Sequence, residues 1–155
     1  MLRKALVVLA CAVIGIVVGI GAFSSASPRA SNVKTIHVIE HAITDTVVDT
    51  GHKGDTTGDL LTFHNPVFGP RDATTVGHDR GDCIRISPAQ GTWECRWTTW
   101  LSNGKLTVEG PFNDTSDSVV AVTGGTGAYR YARGQMALKS RKGGTEYDFI
   151  FRIVK

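Results

Sequence analysis

The sequence predicts an all-β domain of about eight antiparallel strands. Three observations predict it. Apolar and polar residues alternate with a period of two along most of the chain after residue 33. Glycine, at 18 residues, punctuates the alternating runs, while proline numbers only 5. No long amphipathic helical run separates the alternating segments, so the crossovers that parallel strands require are missing. A meander of this kind either stays an open sheet or closes into a barrel. Closure removes exposed edges and leaves room inside for side chains or one small ligand.

The N-terminus is a separate object. Met1-Leu2-Arg3-Lys4 is a short positive segment, and Ala5 to Phe23 is unbroken apolar or glycine sequence. Ser24-Ser25-Ala26 then offers the small side chains that a signal peptidase reads. Residues 1–26 therefore read as a secretory signal peptide, 27–33 as a linker and 34–155 as the domain of an exported protein. The alternative is a retained membrane anchor, because the 19 residues 5–23 are just long enough to span a bilayer. Cleavage would remove Arg3, Lys4 and Cys11 and lower the formal charge from +3 to +1. Charge so near neutral argues against nucleic acid as a partner.

The strands follow in order. Thr35 to Ile43 alternates, with Ile36, Val38, Glu40 and Ala42 on one face and His37, Ile39 and His41 on the other. Gly51 to Gly58 is a loop, and Asp59 to Phe63 is a strand ended by Asn65-Pro66. Thr74 to Ser87 and Thr92 to Leu101 form a hairpin around Pro88-Ala89-Gln90-Gly91. If Ser87 faces Gly91, Cys83 falls opposite Cys95, where directly opposed side chains share a face and can bridge. An even cysteine pair in an oxidising compartment supports that disulfide. Asn103-Gly104 suggests a type I′ turn into a strand over Leu106 to Glu109. Ser118 to Thr123, Gly134 to Ser140 and Thr145 to Val154 complete the set, the last with Tyr147, Phe149, Phe151 and Ile153 on one face.

Four segments carry a family resemblance. Gly124-Gly125-Thr126-Gly127-Ala128-Tyr129-Arg130 with Ala132-Arg133-Gly134 is similar to the GGTG-aromatic-R-x-ARG segment of the dirigent and allene oxide cyclase superfamily. Gly58 to Asn65 resembles that superfamily's second-strand motif. Val76-Gly77, Gly81 and Cys83 resemble a pattern of its cyclase branch, and Thr107 to Phe112 resembles its strand-x-Gly-Pro-aromatic element. The resemblance spans Glu40 to about Phe151 and implies an eight-stranded antiparallel up-and-down β-barrel, a homotrimer. It implies no metal and no organic cofactor. One branch cyclises a fatty-acid epoxide. The dirigent branch guides radical coupling of phenols and relies on a separate oxidant enzyme.

The same resemblance assigns candidate residues. Glu40 corresponds to a catalytic carboxylate, and its apolar face predicts desolvation and a raised pKa. Asn65 matches an Asn at the end of the second strand; the alternative is a turn cap before Pro66. Ala42 stands where the cyclase branch has another Asn, which counts against literal epoxide cyclisation. Cys83 matches a cavity-lining Cys, but a disulfide to Cys95 would leave no thiol for chemistry. Phe63, Trp97, Tyr129, Arg130 and Arg133 are the ligand-binding candidates, the arginines as donors to a phenolate or carboxylate.

Other site classes find little support. Gly124 to Gly127 follows a strand but lacks the phosphate-loop Lys pattern and a following helix. His37 and His41 share a face about 13 Å apart, with no Cys or His beside them to complete a zinc pattern. No Gly-x-Ser-x-Gly element supports a hydrolase triad. The expected function is therefore a dirigent-like barrel that binds and steers a small apolar or phenolic intermediate. The alternatives are a cofactor-free cyclase or isomerase, or a non-catalytic structural domain.

Overall fold

A computed structural model describes residues 32–154. The signal peptide expected over 1–26, and the linker up to residue 31, lie outside the described residues. The domain is built from β1 (Lys34–His41), β2 (Thr46–Val48), β3 (Leu60–Phe63), β4 (Pro66–Phe68), β5 (Thr75–Ser87), β6 (Thr92–Leu101), β7 (Gly104–Asn113), β8 (Ser118–Gly125), β9 (Arg133–Arg141) and β10 (Glu146–Val154). Every pairing is antiparallel. β10 returns to β1, and the β5–β6 pairing closes the sheet on itself.

β3 and β4 both pair with β5, Leu60–Phe63 against Ile84–Gly81 and Pro66–Phe68 against His78–Thr75. They are one stave interrupted at His64-Asn65. β2 pairs only with β3. Counted this way, the barrel has eight staves. The break after Phe63 was legible at Asn65-Pro66, but not the resumption of the stave: Pro66 has no N–H to donate, yet its carbonyl and its neighbours still pair.

The β5–β6 hairpin sets Cys83 opposite Cys95, and the two are bridged, with Cα atoms 4.0 Å apart. The turn differs from expectation. Ser87 pairs with Thr92, not Gly91, and a bulge at Ile86 absorbs the extra residue. The β6–β7 turn also differs. Leu101 pairs with Gly104 across Ser102 and Asn103, neither of which has a positive φ, so this is no type I′ turn. Gly104 begins β7 at φ 145°, and a Cβ there would overlap the Thr126 carbonyl. Its glycine serves close packing rather than the turn.

Inward positions alternate as the period-two pattern requires. Val38, Val67, Leu106, Val108, Val120, Val122, Met136, Phe151 and Ile153 fill the end where β6 runs into β7. The Gly-rich segment closes that end. Thr126 and Ala128 donate backbone N–H bonds to Lys105 and Asn103 carbonyls at 2.9 and 2.7 Å, and Tyr129 and Ala132 are buried beneath.

Candidate functional site

The opposite end is hollow. Glu40 at the end of β1, Leu61 and Phe63 on β3, Cys83, Cys95, Trp97, Phe112, Leu138, Tyr147 and Phe149 line a cavity of ≈ 60 Å³, with Asp45 from the loop after β1. Five of these eleven side chains are aromatic. Phe63 meets Trp97 edge-on at 6.2 Å, Trp97 meets Phe149 at 5.7 Å, and Phe112 meets Tyr147 edge-on at 5.8 Å. Gly81 makes this possible: a Cβ there would collide with Trp97 Cβ and the Arg96 carbonyl. The disulfide forms part of the wall. Cys83 therefore brings no thiol to the cavity.

One amide organises the polar side. Asn65 is fully buried. Its Nδ2 donates to Glu40 Oε1 at 2.8 Å and to Asp45 Oδ1 at 2.7 Å. Its Oδ1 accepts from Ile43 N, Thr44 N and Thr44 Oγ1 at 3.1, 2.9 and 3.0 Å. The amide is thus spent within the protein, and Asn65 positions Glu40 and the loop that carries Asp45. Its backbone also exchanges both bonds with Asp79, at 3.1 and 2.8 Å.

Asp79 is the partner the sequence reading missed. It is fully buried on β5, and its Oδ2 receives no hydrogen bond. Burial and then the Glu40 charge push its carboxyl up to about 9. Burial likewise pushes Glu40 up to about 7, against the Asn65 hydrogen bond that favours its ionised form. Two neighbouring buried carboxyls cannot both ionise cheaply, so near neutrality the pair retains a proton. Burial also raises the Tyr147 phenol, helped by the nearby Glu40 charge. The signal for Asp79 was present, because period-two alternation along Thr74 to Ser87 puts it on the Cys83 face. Asp45 had none, since it lies in an irregular loop.

Of the remaining ligand-binding candidates, Phe63 and Trp97 line the cavity and the other three do not. Tyr129 is buried at the filled end, while Arg130 and Arg133 are exposed. The Gly-rich turn that carries them works here as a backbone plug. A second ion-pair group flanks the cavity end. Arg85 binds Asp114 at 2.6 Å, with Asp55 on its other edge, and stacks its guanidinium 4.4 Å from the Trp93 ring.

For a metal, His41, Asp72 and Glu146 bring candidate ligand atoms within 4.8 Å of one another. Lys142 Nζ already sits 2.6 Å from Glu146 and 3.6 Å from Asp72, with Arg141 beside them. These carboxylates are neutralised by protein cations, which makes the group an ion-pair network on the outer wall.

No family model matches the chain. Solved structures do. A pyocyanin demethylase superposes with a TM-score of 0.65 at 22% identity, over 76% of this chain and 100% of that one. A pterocarpan synthase dirigent protein gives 0.64 at 23%, over 79% and 96%. The Diels-Alderase AbmU from Streptomyces koyangensis gives 0.61 at 12%, over 81% and 70%. What is shared at these identities is the fold, a closed antiparallel β-barrel of eight strands.

Proposed function

We propose that the hollow end binds a small apolar or phenolic molecule and steers its reaction in the manner of a dirigent protein, with Glu40 as the group that exchanges a proton with it. One observation carries this reading: the buried Glu40 carboxyl, held by the Asn65 amide, stands in the wall of a largely apolar cavity, where burial raises its pKa. The dirigent and Diels-Alderase barrels of the same fold support it. Such a site works by holding a reactive intermediate in one shape and excluding water. The resting cavity is smaller than the ~300–1,000 Å³ of ordinary ligand pockets. Phe63, Phe112 and Tyr147 at the mouth are only partly buried, so a ring enters as they turn outward. The disulfide fits an exported protein. Among the described residues no helix is long and apolar enough to cross a membrane.

A cofactor-free cyclase or isomerase is the second reading, favoured by Asp79 as a proton store behind Glu40. Titration of 4-propenylphenols and alicyclic ketones, followed by NMR of the Trp97 and Tyr147 rings, tests both. Saturable shifts are expected, and shifts in neither ring would sink both readings. Chiral chromatography of the phenol dimers, with and without a one-electron oxidant, then separates them. Stereoselective dimers formed with the oxidant support steering, because coupling needs an acceptor for its two electrons; an isomer of unchanged mass formed without the oxidant supports the cyclase. In either case Glu40→Gln should keep binding and lose the effect on product.

A further inference from the structure

On the outer wall, the β5–β6–β7 register sets His78, Trp100 and Lys105 side by side across three strands. Arg80 stands one step along β5 on the same face. His64, in the break between β3 and β4, sets its ring edge-on to His78 with centroids 5.0 Å apart. Trp100 gathers the group. His78 stacks on it at 5.0 Å, Arg80 Cζ lies 4.5 Å from the ring centroid and Lys105 Nζ 5.0 Å. Arg80 Nη2 is 3.5 Å from His78 Nε2.

Among the described residues, none of these four basic groups has a carboxylate within ion-pair distance. Asp82, two residues along β5, is engaged by Arg96 at 3.2 Å. The contrast with Arg85, Arg141 and Lys142, each set against acids, is direct. His64, Arg80 and Lys105 are exposed, so the site is open. Burial, followed by the positive charges of His64, Arg80 and Lys105, holds the His78 imidazole below its ordinary range.

We propose that this face binds a phosphate group, free on a small ester or carried by a lipid headgroup. A tetrahedral phosphate, dianionic as a monoester and monoanionic in a lipid diester, can accept bidentately from Arg80 while His78, His64 and Lys105 donate to its other oxygens. Bound phosphate favours the charged imidazoles, so binding takes up protons and strengthens as pH falls toward about 6, below which a monoester loses its second charge. The site is separate from the cavity.

The test uses glycerol 3-phosphate and, in a second arm, phosphatidylcholine vesicles with and without phosphatidylglycerol, each against KCl at matched ionic strength. The readouts are the His64 and His78 imidazole resonances across pH and vesicle co-sedimentation. Both imidazole titrations should move to higher pH with glycerol 3-phosphate, and Arg80→Ala with Lys105→Ala should weaken binding at least ~10-fold. Arg152→Ala, an exposed change elsewhere, should leave it unchanged. Binding only to phosphatidylglycerol vesicles also supports the proposal and assigns the phosphate to a lipid. Binding in neither arm beyond KCl, or wild-type affinity in the double variant, would overturn it.

Discussion

The two ends of this barrel are made by the same strands and differ in what those strands point inward. On β10, Phe151 and Ile153 serve the filled end, Tyr147 and Phe149 the hollow one. On β7, Leu106 and Val108 give way to Phe112, and on β1, Val38 gives way to Glu40. Branched aliphatic side chains interdigitate and leave no void. Rigid rings set edge to face leave a gap between them, and acids gather at its rim. The filled end therefore supplies stability, and the hollow end carries groups that a purely structural core would replace. Burying two acids side by side costs stability, a burden that functional sites tolerate when the scaffold elsewhere is well packed.

The largest effect should come from the filled end. Phe151→Ala removes a fully buried ring and should cost about 3–5 kcal/mol in urea unfolding. Phe112→Ala opens a cavity that already exists beside a half-buried ring and should cost only about 1 kcal/mol. Equal losses would erase the distinction between the ends. Between them in size stands the disulfide, which closes a separation of 12 residues. Replacing Cys83 and Cys95 by Ser should cost about 2–4 kcal/mol. Because the bridge lies in the cavity wall, ligand-induced shifts of the Trp97 ring should change in this variant too, unlike in Phe151→Ala refolded at low temperature. Unchanged shifts would mean the bridge only staples the hairpin.

Much of this contrast was legible in the sequence. Period-two alternation gives the inward face of β1, β6 and β10, and with it Glu40, Trp97 and the aromatic row from Tyr147. The opposition of Cys83 and Cys95 was legible because a bulge at Ile86 restored the pairing that the assumed Ser87–Gly91 contact would have given. The bulge itself leaves no mark in the residue pattern. The Gly104 and Gly-rich positions announce tight backbone, but a sequence does not say whether that backbone closes a wall or lines a pocket. Tyr129, Arg130 and Arg133 were placed with the ligand for that reason. The central role of Asn65 depends on three segments meeting, the loop at 43–45, β1 and β5. No local pattern encodes that meeting.

The smallest expected effect concerns pH, and it separates the ends again. Glu40 and Asp79 have carboxyls raised by burial to about 7 and about 9 in the folded barrel. In the unfolded chain both lose their protons near pH 4. The folded state then binds more protons than the unfolded state, so their contribution is full below about pH 4 and is lost as pH rises through the folded values. Asp55, Asp59 and Asp72, held below the ordinary carboxylate range by hydrogen bonds, work in the opposite direction, but only as pH falls toward and below that range. Scanning calorimetry between pH 7 and 9, above the range in which the depressed His78 imidazole works in the opposite direction, reads the buried pair, and Tm should decline across that window. Asp79→Asn removes the carboxyl that ionises toward the top of that window while keeping the side chain's size. The decline should become shallower, and at pH 9 the variant should melt above the wild type. A decline of unchanged slope would place the titration outside the hollow end, and with it the claim that Asp79 holds Glu40 poised to exchange a proton.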